Sequence, residues 1–212
     1  MYVQIHKGGL VVRADGDGDA GLASWAALHA GQVFRLRATD DGSVRLHAIG
    51  PEDEACRVPI NITSRSPGEL RLVSNFAAAH FVLDGLDYAS VEGFWQGLKF
   101  PEEADRRRLA ALVGSKAKDA GYYAPKSDAF TYARATVRVG TWDHWQLMEK
   151  ACAAKFEQCE AARAALLSTG KRPLVHQVKR DSRSIPGVIM ADIWMRIRAG
   201  IQARIDPSTK AK

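Results

Sequence analysis

Cysteine is scarce in this 212-residue chain: Cys56, Cys152 and Cys159 are odd in number and show no CxxC spacing. That pattern argues against a disulfide framework or a cysteine-rich zinc site, and the thiols are read as reduced. Long apolar runs are also missing. Nothing approaches the roughly 18 residues of a membrane span, and no membrane association is expected. The opening MYVQIHKGG lacks the basic stretch and apolar run of a secretory signal, so the expected compartment is the cytoplasm. The six histidines are scattered without a His/Asp/Glu ligand spacing, so no metal and no other cofactor is expected.

What is present is the composition of an ordinary folded protein. At 46% hydrophobic and 25% charged residues, the chain matches neither disorder nor a fibrous repeat. Its length buries a core without staples. The net charge of +6 is unevenly placed: Lys171 to Lys212 holds ten Lys or Arg against three Asp, so this segment carries +7 and the rest −1. Such a localised field favours an anionic partner, either a phosphorylated metabolite or a nucleic-acid backbone. A solvated helix face with a basic tail explains it equally well.

Up to about residue 60 the pattern is short apolar runs broken by turns, VQIH, GGLVVR and QVFRLRATDDGSVRLHAIG. The last reads as a hairpin around Asp40 to Gly42, because Asp-Gly supplies the positive φ of tight turns. A short helix is expected around 23–30. From about Leu72 the spacing becomes helical. Val91, Phe94, Trp95 and Leu98 form one stripe after Ser90. Pro101-Glu102-Glu103 is expected to open a helix running through ADRRRLAALVG. A helix over about 141–158 places Trp145, Met148, Cys152 and Phe156 on one side, and another over 161–168 stops at Gly170. RPLVHQV reads as a strand, RDSRSIPG as a loop, and 187–204 as a final helix. The expected fold class is mainly α (α+β): a β-rich extension over 1–60, a helical domain with short strands over 61–205 and a mobile tail over 206–212.

On the helix after Ser90, Glu92, Gln96 and Lys99 stand at offsets of four and three. At about 100° per residue they share one stripe. A carboxylate, an amide and an amine beside the Trp95 indole suit a pocket wall. The same stripe also suits an amphipathic helix whose charges follow the helix dipole.

The order of the surrounding blocks resembles the NADAR (YbiA-like) family. The blocks are Ser74-Asn75-Phe76, FVLDGLDYAS, Glu92 to Gln96 with Lys99-Phe100, SKAKDAG, Met148 followed by AAKFEQ, LLSTGKRPLV, Asp181, and Met195 with Arg198. They span about residues 60–204. His176 stands where many members carry glutamate, and Ser184-Ile185-Pro186-Gly187 replaces their Trp-Gly. This form resembles a branch of the family and weakens a riboflavin-pathway assignment most.

The resemblance implies a metal-independent N-glycosidase that breaks a bond from ribose C1 to nitrogen. It removes ADP-ribose from guanine bases or hydrolyses ribosylamino-pyrimidine phosphates of riboflavin synthesis; a non-catalytic ADP-ribose-binding module is the other reading. The partner implied is a phosphorylated ribosyl or ADP-ribosyl substrate, with nucleic acid as one carrier of the modified base. Lys99 is the candidate amine that traps the opened sugar as an imine, and Glu92 or Asp181 stabilises the cation or moves protons. Asp181 also fits a plain turn residue. Ser74, Asn75, Phe76, Trp95 and Gln96 would contact substrate, Trp95 by stacking on the base. Arg183 would contact phosphate. His176 is read as a satisfied strand histidine.

Overall fold

The computed structural model describes residues 58–205 together with four earlier strands, and the chain divides into the units Met1–Val58 and Pro59–Lys212. In the first unit, β1 (Tyr2–His6) pairs antiparallel with β2 (Gly9–Arg13), and β3 (Phe34–Ala38) with β4 (Val44–Ala48). The β3–β4 pair is the hairpin read around Asp40, its inner pair being Ala38 and Val44. The turn itself, the helix expected at 23–30, Cys56 and the tail over 206–212 lie outside the described residues.

The second unit is mainly helical with short strands. Its order is β5 (Ile60–Asn61), a 3-10 turn (Gly68–Val73), β6 (Phe81–Leu83), β7 (Leu86–Tyr88), α1 (Val91–Gly97), α2 (Glu103–Ala110) and α3 (Gly114–Gly121). Then come β8 (Ala129–Tyr132), β9 (Ala135–Arg138), α4 (Trp142–Gln158), α5 (Glu160–Leu167), β10 (Leu174–Val175) and α6 (Gly187–Ile205). Met148, Cys152 and Phe156 of α4 meet Ile193 and Trp194 of α6 and Phe94 of α1 in one buried cluster. Each large apolar side chain so buried contributes about 1.5–3 kcal/mol.

α1 is buried along its whole length, and its start explains why. The Ser90 hydroxyl accepts from the Gly93 N–H at 3.0 Å, capping the helix, and donates to the Leu112 carbonyl at 2.8 Å. A Cβ on Gly93 would stand 2.6 Å from the Leu109 carbonyl oxygen. Only glycine permits this approach of α1 to the end of α2.

Those contacts also correct the sequence reading of one helix from Pro101 to Gly114. The Ala110 carbonyl accepts from Ala89 N–H at 2.8 Å and the Leu112 carbonyl from Ser90, so both are taken by the approach to α1 instead of by a continuing helix. The chain turns at Gly114, whose φ is +56°, and starts the separate helix α3. Pro101 precedes the cap, Glu102, rather than sitting in the first turn.

Two further differences concern strands. RPLVHQV contributes only Leu174–Val175, which pairs parallel with Ile60–Asn61. The β8–β9 hairpin carried no turn signal, because Ala133 and Arg134 occupy its positive-φ positions (φ 47° and 68°) where Asn-Gly or Asp-Gly is usual.

Candidate active site

A cavity of about 570 Å³ opens against α1. That size falls within the roughly 300–1,000 Å³ of sites for drug-sized ligands. Glu92, Trp95 and Gln96 line it from α1, Lys99 from the turn just after that helix, and Ser74, Asn75 and Phe76 from the segment after the 3-10 turn. Met148 of α4, Met190 and Trp194 of α6, and the loop carrying His176 to Asp181 complete the wall. Of the candidate residues, eight therefore share this cavity. Arg183 does not line it and is exposed. The cavity's basic side chains are instead Lys99, Lys118, Lys179 and Arg180.

Within α1, the Gln96 amide donates to Glu92 Oε1 at 2.7 Å, an i to i+4 contact between two buried side chains. Burial pushes the Glu92 carboxyl above its ordinary range, opposed by the Gln96 hydrogen bond and by the charges of Lys118 and Lys99. Removal from water lowers the Lys99 ammonium, Lys118 lowers it further, and Glu92 pulls it the other way. Lys99 itself is exposed and lines the cavity. A carboxyl biased toward its acid form thus shares a wall with an amine biased toward its neutral form.

The facing wall is held by softer contacts. Asn75 Nδ2 donates to the Met190 sulfur at 3.1 Å and the Met148 sulfur at 3.4 Å, and the Cys152 thiol donates to Asn75 Oδ1 at 3.6 Å. The Asn75 carbonyl accepts from the Glu92 N–H at 2.9 Å, which ties the segment to α1. Below it lies Lys155, fully buried, whose ammonium donates to the Val73 carbonyl at 3.2 Å and the Ser74 carbonyl at 2.8 Å. Burial lowers the Lys155 pKa to about 8. Sequence reasoning gave Lys155 no role, although its position three residues after Cys152 on the apolar stripe of α4 was a visible anomaly.

Asp181 plays a structural part in its loop: Oδ1 accepts from the Ser182 N–H and from the Gly187 N–H, each at 2.9 Å, the latter at the start of α6. Asp181 thus ties the turn and also lines the cavity. His176 is half-buried on the cavity wall, with Nδ1 2.7 Å from the Ile62 carbonyl oxygen and its ring edge-on to Trp194. Behind Trp95 lies His144, which the sequence did not single out. Its Nδ1 accepts from the Gly140 N–H at 3.1 Å, and burial lowers its pKa to about 4. Lys179 and Arg180 were legible as a basic pair beside Asp181; Lys118 had no signal beyond its place in SKAKDAG.

Among the described residues, no cluster of three or more His, Cys, Asp or Glu is arranged to hold a metal. No helix there is long and apolar enough to cross a membrane.

A sequence model of the family described as bacteriophage protein GP30.3 matches residues 70–192, more than half of the chain and nearly all of the cavity lining. The chain belongs to the GP30.3 family. A relative in this direction is the uncharacterized 17.1 kDa protein of the Gp30-rIII intergenic region of Enterobacteria phage T4, 43% identical over 49 residues. That match covers 23% of this chain and 32% of the phage protein, so the chain aligns with about a third of its length. Among solved structures, this GP30.3-family chain is similar to Escherichia coli YbiA, with a TM-score of 0.51 and 24% identity over 72% of this chain and 92% of the other. The fold is therefore YbiA-like.

Proposed function

We propose that the protein hydrolyses the N-glycosidic bond between ribose C1 and a base nitrogen, acting on ADP-ribosylated guanine or a related ADP-ribosyl substrate. The observation that carries this reading is the pairing of Glu92 and Lys99 on one wall of the cavity, with their pKa values shifted in opposite directions. Breaking the C1–N bond requires a proton for the departing nitrogen and stabilisation of the electron-poor sugar carbon. Glu92 in its acid form supplies the proton. Opening of the ribose ring leaves C1 double-bonded to the base nitrogen. The neutral Lys99 amine adds to C1 and the base nitrogen departs with the proton that Glu92 supplies, leaving a C1=N imine to Lys99, which one water hydrolyses to the free amine and the sugar aldehyde. Trp95 offers an aromatic face to the base, Asn75 an amide to the sugar, and Lys118, Lys179 and Arg180 offset phosphate charge. Asp181 fixes the loop that carries Lys179 and Arg180.

The deciding experiment incubates the protein with ADP-ribosylated guanosine and, separately, with a ribosylamino-pyrimidine phosphate, and follows release of free base or amine. Turnover of the first with the Glu92→Gln variant inactive supports the reading. Binding of ADP-ribose without turnover of either substrate overturns it in favour of a non-catalytic module.

A further inference from the structure

A second cavity, of about 300 Å³, opens on the opposite face of α1. Phe94 and Gly97 of α1 and Leu98 just after it line this one, whereas Glu92, Trp95 and Gln96 line the first. The lining is largely apolar: the rings of Tyr88, Phe94 and Tyr132, with Leu83, Leu86 and Leu98. Phe94 meets Tyr88 and Tyr132 edge-to-face, with centroids 5.3 and 6.1 Å apart. The β6–β7 and β8–β9 hairpins are tied together here, because the Tyr132 hydroxyl donates to Asp84, which Lys150 of α4 also holds at 2.7 Å.

Tyr88 sets the chemistry of this cavity. It is only 9% exposed and its ring stacks on Phe81 at 5.4 Å, yet its hydroxyl has no hydrogen-bond partner among the described residues. Burial first, then the charges of Glu103 and Asp84, raise its pKa to about 12 against the pull of Arg106. Those three charged residues all line the cavity, so the hydroxyl that feels them is aimed into it and holds its proton as a donor. A buried phenol left unpaired is costly, and an acceptor on a bound molecule relieves it. Arg106 of α2 offers a second donor. Its Nε donates to the Phe100 carbonyl at 2.7 Å and Nη2 to the Thr131 carbonyl at 2.8 Å, which leaves Nη1 without a partner among the described residues.

The charged lining residues balance, Asp84 and Glu103 against Lys150 and Arg106. Asp84 is paired with Lys150, and Glu103 with Arg107 at 3.0 Å. An ion entering would lose hydration with no net countercharge to replace it. The volume, at the lower end of the roughly 300–1,000 Å³ of ligand sites, suits one ring.

We infer that this cavity binds a small, uncharged, single-ring aromatic molecule through a carbonyl that accepts from the Tyr88 hydroxyl and Arg106 Nη1, its ring packing against Phe94 and Tyr132. The site goes beyond the glycosidase reading and stands whether or not that reading does. It is tested by titrating the isotope-labelled full chain, followed by heteronuclear NMR, with benzamide, benzoate, benzylamine and toluene. Benzamide is expected to bind with a dissociation constant on the order of millimolar or tighter. It should shift the amides of Tyr88, Phe94, Gly97 and Tyr132 and leave those of Ser74 to Phe76 in place. Benzoate and benzylamine should bind more weakly, as should toluene, which has the ring without the acceptor. Tyr88→Phe keeps the ring and removes only the unpaired hydroxyl, so it is expected to melt no lower than wild type and to bind benzamide roughly twofold to tenfold more weakly. No saturable binding of benzamide, shifts confined to the first cavity, or a charged molecule bound as tightly overturns the inference. So does unchanged affinity in a folded Tyr88→Phe variant; if that variant melts lower, equal affinity of wild type for toluene and benzamide overturns the carbonyl contact instead.

Discussion

His144 lies flat against Trp95, their ring centroids 3.9 Å apart and their planes 7° from parallel. The imidazole is buried and its pKa is lowered to about 4 from an ordinary 6.5, so the indole facing the cavity is backed by a neutral ring. Between pH 4 and 6.5 the unfolded chain binds more protons at this site than the folded one, so stability is undiminished above 6.5 and is lost as pH falls toward 4. Thermal melts across this range are expected to show that loss in wild type and a shallower one in His144→Phe. Equal slopes would mean that His144 does not titrate as its surroundings require.

Glu92→Gln is expected to lower the hydrolytic rate by roughly 10²- to 10⁴-fold, the usual weight of a positioned general acid, while melting close to wild type. Lys99→Ala is expected to abolish the covalent adduct trapped by borohydride during turnover. An active Lys99→Ala enzyme, together with no adduct in wild type, would leave Glu92 as the working group and remove the imine.

Lys155→Met replaces a buried ammonium by an apolar chain of similar length and takes the ammonium donor from the Val73 carbonyl and from the Ser74 carbonyl, which keeps the Ala77 N–H at 3.1 Å. Urea titration is expected to show a loss of about 1–3 kcal/mol. The folded pKa of about 8 lies below the ordinary 10.5. In wild type this group therefore adds stability as pH rises from 8 to 10.5, where the unfolded chain holds the extra proton. That rise should be absent in the methionine variant; its persistence would assign it to another group.

Gly121→Ala puts a Cβ 2.0 Å from Gln96 Oε1 and 2.9 Å from Gln96 Cβ. Gln96 has to move, and with it the 2.7 Å hydrogen bond to Glu92. A destabilisation of about 1–3 kcal/mol is expected from the overlap. The pH–rate profile should also shift, since Glu92 is deprived of the hydrogen bond that favours its ionised form. An unchanged profile at lowered stability would show that Gln96 does not tune Glu92.

The parts of this architecture that followed local rules could be read from the sequence. The pairing of Glu92 with Gln96, the Ser90 cap and the run of Met148, Cys152 and Phe156 depend on helical spacing and short-range hydrogen bonds, whereas Lys99, read on the same helix, stands in the turn after it. What could not be read depends on contacts distant in sequence. The break after Ala110 arises because Ala89 and Ser90 take the carbonyls that a longer helix would have used. The β8–β9 turn uses Ala133 and Arg134, residues with no turn preference, in left-handed conformations. Arg183 and Lys179 lie in the same loop, and only its three-dimensional course decides which of them reaches the cavity; charge pattern alone does not. The pairing of His144 with Trp95 links two helices 49 positions apart and leaves no periodic trace.

The parallel bridge between Ile60–Asn61 and Leu174–Val175 joins segments more than a hundred residues apart. Contacts of such separation carry the greatest loop-closure cost and tend to form late. A nascent chain that has emerged only as far as Gly170 already contains Glu92, Trp95 and Lys99, but it lacks His176, Lys179, Arg180 and the helix bearing Met190 and Trp194. The wall carrying Glu92 and Lys99 is thus synthesised early and the wall that closes the chamber among the last. A chain released prematurely from the ribosome would carry Glu92 and Lys99 without the residues that enclose them.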